Sequence, residues 1–310
     1  MIRRQFAFLA VLCAALAACG KEPAGAPFDA ALTDSLVRRQ LAFGPRVPGT
    51  QGHADQLAWM VEYLSARADT VVVDRFTHVT TFGDTLELAN VLAHFRPDDP
   101  SRILLLAHWD TRPVAEHALE PEEKRTPVPG ANDGASGVAV LLALADHFTR
   151  EPPLVGVDIL LTDGEDWGHD PVTLETVSED MFLGARHFAR TRAVGYKPLY
   201  GILLDMVGER GARFPYEGNS VAMAPEVVTR VWNAAADLGY GETFVATAGL
   251  AISDDHIPLN EAGIRTIDII DFQYMWWHTP NDTAEQVSAE TMGIVGEVLL
   301  EVIRRQGAGR

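Results

Sequence analysis

Apolar positions along the chain fall into two alternating periods. Residues 28–43 place Leu32, Leu36, Val37 and Leu41 at helical spacing, and 52–67 do the same with Leu57, Met60, Val61 and Leu64. The breaker Gly44-Pro45-Arg46-Val47-Pro48-Gly49 separates them. Residues 70–76 and 86–95 read as strands joined through a turn at Phe82-Gly83-Asp84. Residues 103–107, 155–162, 199–204 and 263–270 are short apolar runs of the kind that form buried strands. Helical patterns lie between and after them, at 138–148, within 175–188, at 224–238 and at 284–305. No internal repeat, low-complexity tract or interdomain linker interrupts the series.

This alternation predicts a single-domain α/β fold: a mixed, largely parallel central sheet with helices on both faces. In such sheets ligands gather beyond the carboxyl ends of the strands. The polar clusters stand there: His108 and Asp110, Glu165 and Asp166, Asp205 and, past the last strand, His278. Asp133 precedes the helix at 138–148, where backbone N–H groups favour a carboxylate.

The first residues change the picture of where the chain works. Met1-Ile2-Arg3-Arg4 is a basic start and 6–18 an apolar stretch, too short to span a bilayer and suited to a secretory signal. Leu16-Ala17-Ala18-Cys19 looks like a bacterial lipobox, with cleavage before Cys19 and lipid on it. Residues 1–18 are thus expected to be a signal peptide, 19–27 a lipidated cysteine and tether, and 28–310 the folded domain. An exported lipoprotein on the periplasmic side of a membrane, the outer membrane foremost, is the expectation, as a monomer. Cys13 and Cys19 are the only cysteines, so no intramolecular disulfide supports the domain. A formal charge of −18 argues against nucleic acid and against electrostatic attraction to anionic lipid, leaving Cys19 as the membrane contact. It is compatible with peptides carrying a free, positive amine.

Catalytic zinc takes about three protein ligands and keeps a position open. Asp133, Asp166 and His278 come from three separate loops and are the best candidates. Each also has an ordinary reading: Asn132-Asp133-Gly134 as a turn and cap, Asp163-Gly164 as a turn, His278 as a half-buried histidine beside Trp277. Their joint placement at strand ends favours the metal. Glu165, adjoining Asp166, suits a general acid/base, and a solvated acidic loop is the alternative. Asp205, at the end of a buried strand, needs a partner: a second metal, or a proton shared with Glu165. Asp254-Asp255-His256 is a further polar triplet, with a helix cap as its ordinary role. His108 and Asp110 fit an imidazole oriented by a carboxylate, and His108 could equally hold a second ion. The Trp276-Trp277 pair could line a pocket or pack in the core.

The order His108-x-Asp110, Asp133-Gly134, Glu165-Asp166, Asp205 and His278 resembles the zinc aminopeptidase-like fold of the M28 peptidase clan. Within it, His108-Trp109-Asp110-Thr111-Arg112-Pro113, Asp254-Asp255-His256-Ile257-Pro258 and Trp277-His278-Thr279 are similar to the glutaminyl cyclases, the bacterial form above all. The resemblance implies closure of an N-terminal glutaminyl residue of a peptide or protein to pyroglutamyl, with release of ammonia. It implies one zinc on Asp133, Asp166 and His278, proton transfer by Glu165, hydrogen bonding by Asp254, a proton network including Asp205, and a pocket wall of Trp277. Asp166 stands where animal cyclases carry glutamate, and Asp268 where they carry a histidine. Their tryptophan after the acidic pair is not matched in register, and Trp167 is the nearest candidate for the pocket. A two-zinc aminopeptidase, with Asp133 bridging and His108 and Asp205 added, uses the same side chains. A binding protein on this fold would be expected to have lost ligands, and none is lost.

Overall fold

The computed structural model describes residues 25–309. The signal segment 1–18, Cys19 and most of the tether lie outside the described residues. Two helices, α1 (Ala30–Leu41) and α2 (Gln51–Ser65), precede a hairpin of β1 (Thr70–Val79) and β2 (Thr85–Phe95). Then come β3 (Arg102–His108), α3 (Ala135–Arg150), β4 (Gly156–Thr162), α4 (Leu183–Thr191) and β5 (Gly201–Asp205). They are followed by β6 (Phe214–Tyr216), α5 (Gly218–Met223), α6 (Pro225–Asp237), β7 (Phe244–Ala248), α7 (His256–Glu261), β8 (Thr266–Ile270) and α8 (Ala289–Ala308). Six strands form one sheet in the order β1-β2-β4-β3-β5-β8, and β6 and β7 form a small parallel pair. The hairpin joins antiparallel, whereas β4, β3, β5 and β8 run parallel. The sheet is therefore mixed and largely parallel.

Every residue of β3, β4, β5 and β8 is buried, which requires cover on both faces. Successive side chains of a strand point to opposite faces. Ile103, Leu105 and Ala107 accordingly enter the larger core with α1, α3, α6 and α8, while Leu104 and Leu106 pack with Phe188 and Leu259 on the other side. Helix α3 is buried almost all round, as a helix between a sheet and a further helical layer must be. Among the described residues no helix is long and apolar enough to cross a membrane.

The differences from expectation have local causes. Within 175–188 the helix takes up only the part from Leu183 and then runs on to Thr191, because Thr176 bridges to His169 and the buried Asp180 carboxylate accepts from Thr81 N–H and His78. Helix α8 starts at Ala289 rather than 284, because Val287 bridges to Glu209 and Ser288 caps the helix. Strands β6 and β7 and helices α5 and α7 are too short to show a period in sequence.

Candidate active site

The carboxyl ends of β3, β4, β5 and β8 converge on one cavity of about 890 Å³. Strand β3 delivers His108 and β5 delivers Asp205, whose Oδ1 lies 3.2 Å from His108 Nε2. Asp133, just before α3, places Oδ1 3.1 Å from the same nitrogen. The loop after β4 carries Asp166, whose Oδ1 is 3.3 Å from His278 Nε2, and His278 Nε2 is 3.8 Å from Asp133 Oδ2. Two buried groups result, His108–Asp133–Asp205 and Asp133–Asp166–His278, each with ligand atoms within 4.8 Å of one another. Asp133 belongs to both.

Local backbone explains how these atoms meet. Gly164 turns the chain after β4 with φ +71°, a conformation glycine adopts without penalty. Neighbouring side chains Glu165 and Asp166 then leave in different directions, Asp166 to His278 and Glu165 into the cavity, 3.9 Å from His108 Nδ1. His278 itself is held at φ +53°, a sparsely populated region for a residue with a Cβ. A Cβ on Gly134 would stand 2.5 Å from His108 Nε2, so only glycine lets the loop of Asp133 approach.

A supporting layer fixes the loops. Asp110 Oδ1 and Oδ2 accept from the backbone N–H of Glu165 and Asp166, each at 3.2 Å. It lies 3.6 Å from His108 Nδ1, beyond hydrogen-bond range, so its main task is holding the acidic loop rather than the imidazole. Glu116 Oε1 is 2.8 Å from His278 Nδ1, which leaves Nε2 facing the carboxylates. The buried Arg112 guanidinium donates to Glu116 at 2.7 Å and to Asp166 Oδ1 at 3.0 Å. Asp282 accepts from the N–H groups of Asn132 and Asp133 and from the Tyr274 hydroxyl.

The electrostatics are those of crowded acids. Burial pushes Asp133 up to about 6, with Asp166 adding and His108 opposing. Burial raises Asp166 too, but His278 and Arg112 outweigh it and hold the carboxyl at about 2. Burial would lower His278, yet Asp166 and Glu116 raise it to about 9. Glu165 is pushed well above the carboxylate range by burial, with His108 opposing and Asp166 and Asp254 adding. Asp254 is raised well above it by burial, then by Asp205 and Asp255. Asp268, fully buried on β8, rises for the same reason, with Asp254 next in weight. A buried cluster in which carboxylates outnumber the cations beside them, Arg112 and His278, suits a divalent metal, and N/O donors of this kind suit zinc.

Of the residues singled out in sequence, Asp133, Glu165, Asp166, Asp205, Asp254, Trp277 and His278 all line the cavity. Trp277 stacks on His278 with ring centroids 4.0 Å apart. Trp167 does not line it. Its ring packs with Leu86, Leu88 and Leu183, which corrects its assignment to the pocket. Asp255 precedes α7 but makes no side-chain cap; it accepts from the Thr162 hydroxyl instead. Glu116, Arg112 and Asp282 went unassigned in sequence. The i, i+4 spacing of Arg112 and Glu116 was the available signal for that pair.

A cluster of imidazoles and carboxylates at the carboxyl edge of a mixed α/β sheet defines a zinc-enzyme architecture of the aminopeptidase-like class. The chain belongs to peptidase family M28, whose model matches residues 90–303. It is 37% identical to a Zn-dependent exopeptidase from Parabacteroides distasonis, covering 90% of this chain and 99% of that one at a TM-score of 0.87. It is 38% identical to a Bacteroides thetaiotaomicron glutaminyl cyclase bound to N-acetylhistamine, covering 90% of this chain and 98% of that one, also at 0.87. A curated relative, aminopeptidase YwaD of Bacillus subtilis, is 24% identical over 217 residues, 66% of this chain. The match spans 41% of that protein, less than half its length.

Proposed function

We propose that the protein is a zinc-dependent glutaminyl-peptide cyclotransferase acting on peptides and proteins that begin with glutamine. The observation that carries the reading is the pair Glu165 and Asp254. Both are buried, face the cavity that Asp133, Asp166 and His278 enter, and are held above the ordinary carboxylate range. The likeness to a glutaminyl cyclase over 90% of the chain supports it.

Asp133, Asp166 and His278 would hold the ion. Bound there, zinc supplies Lewis-acid polarisation of the side-chain amide carbonyl. The substrate α-amine attacks that carbonyl carbon, forming the ring C–N bond. Glu165, within the cavity, takes the proton released by the amine. It returns that proton to the amide nitrogen as the C–N bond to ammonia breaks. A carboxyl raised above its ordinary range by burial holds a proton more readily and can perform both halves of this exchange. Asp254 accepts a hydrogen bond from the amide or amine, and Trp277 walls the folded side chain. Because the nucleophile is already part of the substrate, the protein's task is to fold it back and exclude water.

A second reading is a two-ion aminopeptidase, favoured by the His108–Asp133–Asp205 group. Incubating the purified protein with a Gln-initiated dipeptide amide separates them. A product lighter by one ammonia supports cyclisation. Free glutamine with two zinc ions per chain replaces it with hydrolysis. The reading also includes export and lipid attachment at Cys19, tested by fatty-acid labelling of the wild type against Cys19→Ala, and a monomer, tested by sedimentation.

A further inference from the structure

The cavity is far larger than a glutaminyl side chain, and its two ends carry opposite charge. One end holds the acids and His278. The other runs along α4 and α7, where Arg186 and Arg190 are the lining cations and Glu261 the lining acid. Arg186 and Arg190 are spaced i, i+4 and so form one stripe along α4, whose N-cap is Phe182. The stripe begins beside the reacting groups, since the Phe182 N–H donates to the Glu165 carbonyl at 3.0 Å.

Two like charges one turn apart repel, and helices normally avoid the pair or neutralise it. Here neither is neutralised. Arg186 donates to the carbonyls of Ser178 and Glu179 at 2.9 and 3.3 Å, and its guanidinium lies 5.8 Å from the Phe182 ring. Arg190 is exposed and has no hydrogen-bond or ion-pair partner among the described residues. In a chain with 43 acids against 25 lysines and arginines, an unneutralised pair of arginines on a cavity wall calls for a ligand.

We infer that Arg186 and Arg190 form a subsite for acidic side chains at the third and fifth residues of the substrate peptide. At about 1.5 Å per helical residue they stand roughly 4.5 and 10.5 Å along α4 from its first residue, Leu183, and so roughly 6 Å from each other. An extended peptide advances roughly 3.3 Å per residue and alternates its side chains, so residues three and five point the same way at about that spacing and come opposite the arginines once the first residue occupies the acidic end. Glu261, across on α7, subtracts one charge and leaves this end net positive. The inference rests on the cyclase reading only for the chemistry at residue one.

The test uses two Gln-initiated hexapeptide amides with Glu or Lys at both positions three and five. Wild-type kcat/KM should favour the acidic peptide by about tenfold at low ionic strength, mainly through KM, and the preference should shrink in high salt. Arg186→Gln with Arg190→Gln should bring the ratio within about twofold, and the double Glu variant should invert it. A folding defect lowers both rates and leaves the ratio unmoved. Product mass identifies the reaction separately. Loss of the first residue instead of ammonia overturns cyclisation while the ratio still scores the subsite. Fluorescence anisotropy with the same peptides gives the ratio of Kd values should neither product form. A wild-type ratio near one, or a preference that survives in the double Gln variant, overturns the subsite.

Discussion

Removing the Glu116 carboxylate should weaken zinc binding although Glu116 is not among the candidate ligands. Its Oε1 sits 2.8 Å from His278 Nδ1 and 2.7 Å from Arg112 Nε. The first contact fixes which imidazole nitrogen faces Asp166 and Asp133. The second ties that imidazole to the guanidinium that also holds Asp166. Partners in this position alter metal affinity by roughly 10–100-fold, or about 1.4–2.7 kcal/mol. Glu116→Ala should therefore lose that much zinc affinity in a chelator competition. It also leaves the buried Arg112 short of one acceptor, with a loss of about 1–3 kcal/mol in the metal-free protein. Glu116→Gln keeps the one oxygen that His278 Nδ1 and Arg112 Nε share and places its NH2 at Oε2, which has no hydrogen-bond partner, so it removes the charge but neither contact. Its zinc affinity should fall less, by under about tenfold, with a smaller loss of stability. Denaturation of metal-stripped protein separates the two effects. Folded Glu116→Ala with wild-type zinc affinity would refute the idea that Glu116 sets the His278 ring.

Three further outcomes are expected. Glu165→Gln should lower kcat by about 100-fold or more with zinc content per chain unchanged, and a loss of zinc would make Glu165 a ligand instead. Gly134→Ala puts a Cβ 2.5 Å from His108 Nε2 and 2.6 Å from its carbonyl oxygen; about 1–3 kcal/mol of stability should go, and a neutral substitution in urea denaturation would show that the loop yields. Burial and the neighbouring Asp271 push Glu209 up from 4.5 to about 7. The folded state then binds a proton the unfolded state has released, so stability falls as pH rises between those values. The full shift is discounted to about 1–2 kcal/mol because the group is partly solvated. Other buried acids, Asp133 and Asp282 among them, are raised too, so urea stability should fall from pH 5 to pH 8 in both proteins, but by about 1–2 kcal/mol less in Glu209→Gln; an equal fall in both would exclude Glu209 as a source.

The strands and long helices were legible because burial imposes a period, and β3, β4 and α3 are buried almost completely. The residues at the strand ends were legible because a polar side chain closing an apolar run is conspicuous. What escaped were contacts between loops. Trp167 follows the acidic pair as closely as a pocket residue should, yet the turn at Gly164 sends it to Leu86 and Leu183. The partner of His278 is Glu116, 162 positions away in a charged loop that reads as surface. Histidines away from the site also have partners visible only in three dimensions: His53 reaches Asp163 at 2.9 Å and stacks on Trp109.

Acidic residues at this sheet edge divide into two populations by what their oxygens accept. Asp110, Asp163 and Asp282 are fully buried and face backbone N–H groups. Asp110 holds the loop of Glu165 and Asp166, Asp163 holds Ala89 on β2 together with His53, and Asp282 holds Asn132 and Asp133. A carboxylate is all acceptor, so each can take donors on both oxygens without leaving a hydrogen unsatisfied. At positions 110 and 282, where each oxygen accepts from a backbone N–H, asparagine would turn an NH2 toward one of those groups, donor against donor. Aspartate is therefore required at these positions by hydrogen-bond polarity alone, with no ion involved. Asp133, Asp166 and Asp205 differ in facing imidazole nitrogens instead. Members of both populations, Asp110 and Asp163 in the first and Asp166 and Asp205 in the second, fall within a few residues of a strand end, which is why residue type and spacing could not divide them. The division follows from counting donors around each oxygen. It leaves the shared cavity with the carboxylates whose remaining lone pairs no backbone N–H occupies, and these are the ones free to hold a cation or a substrate amine.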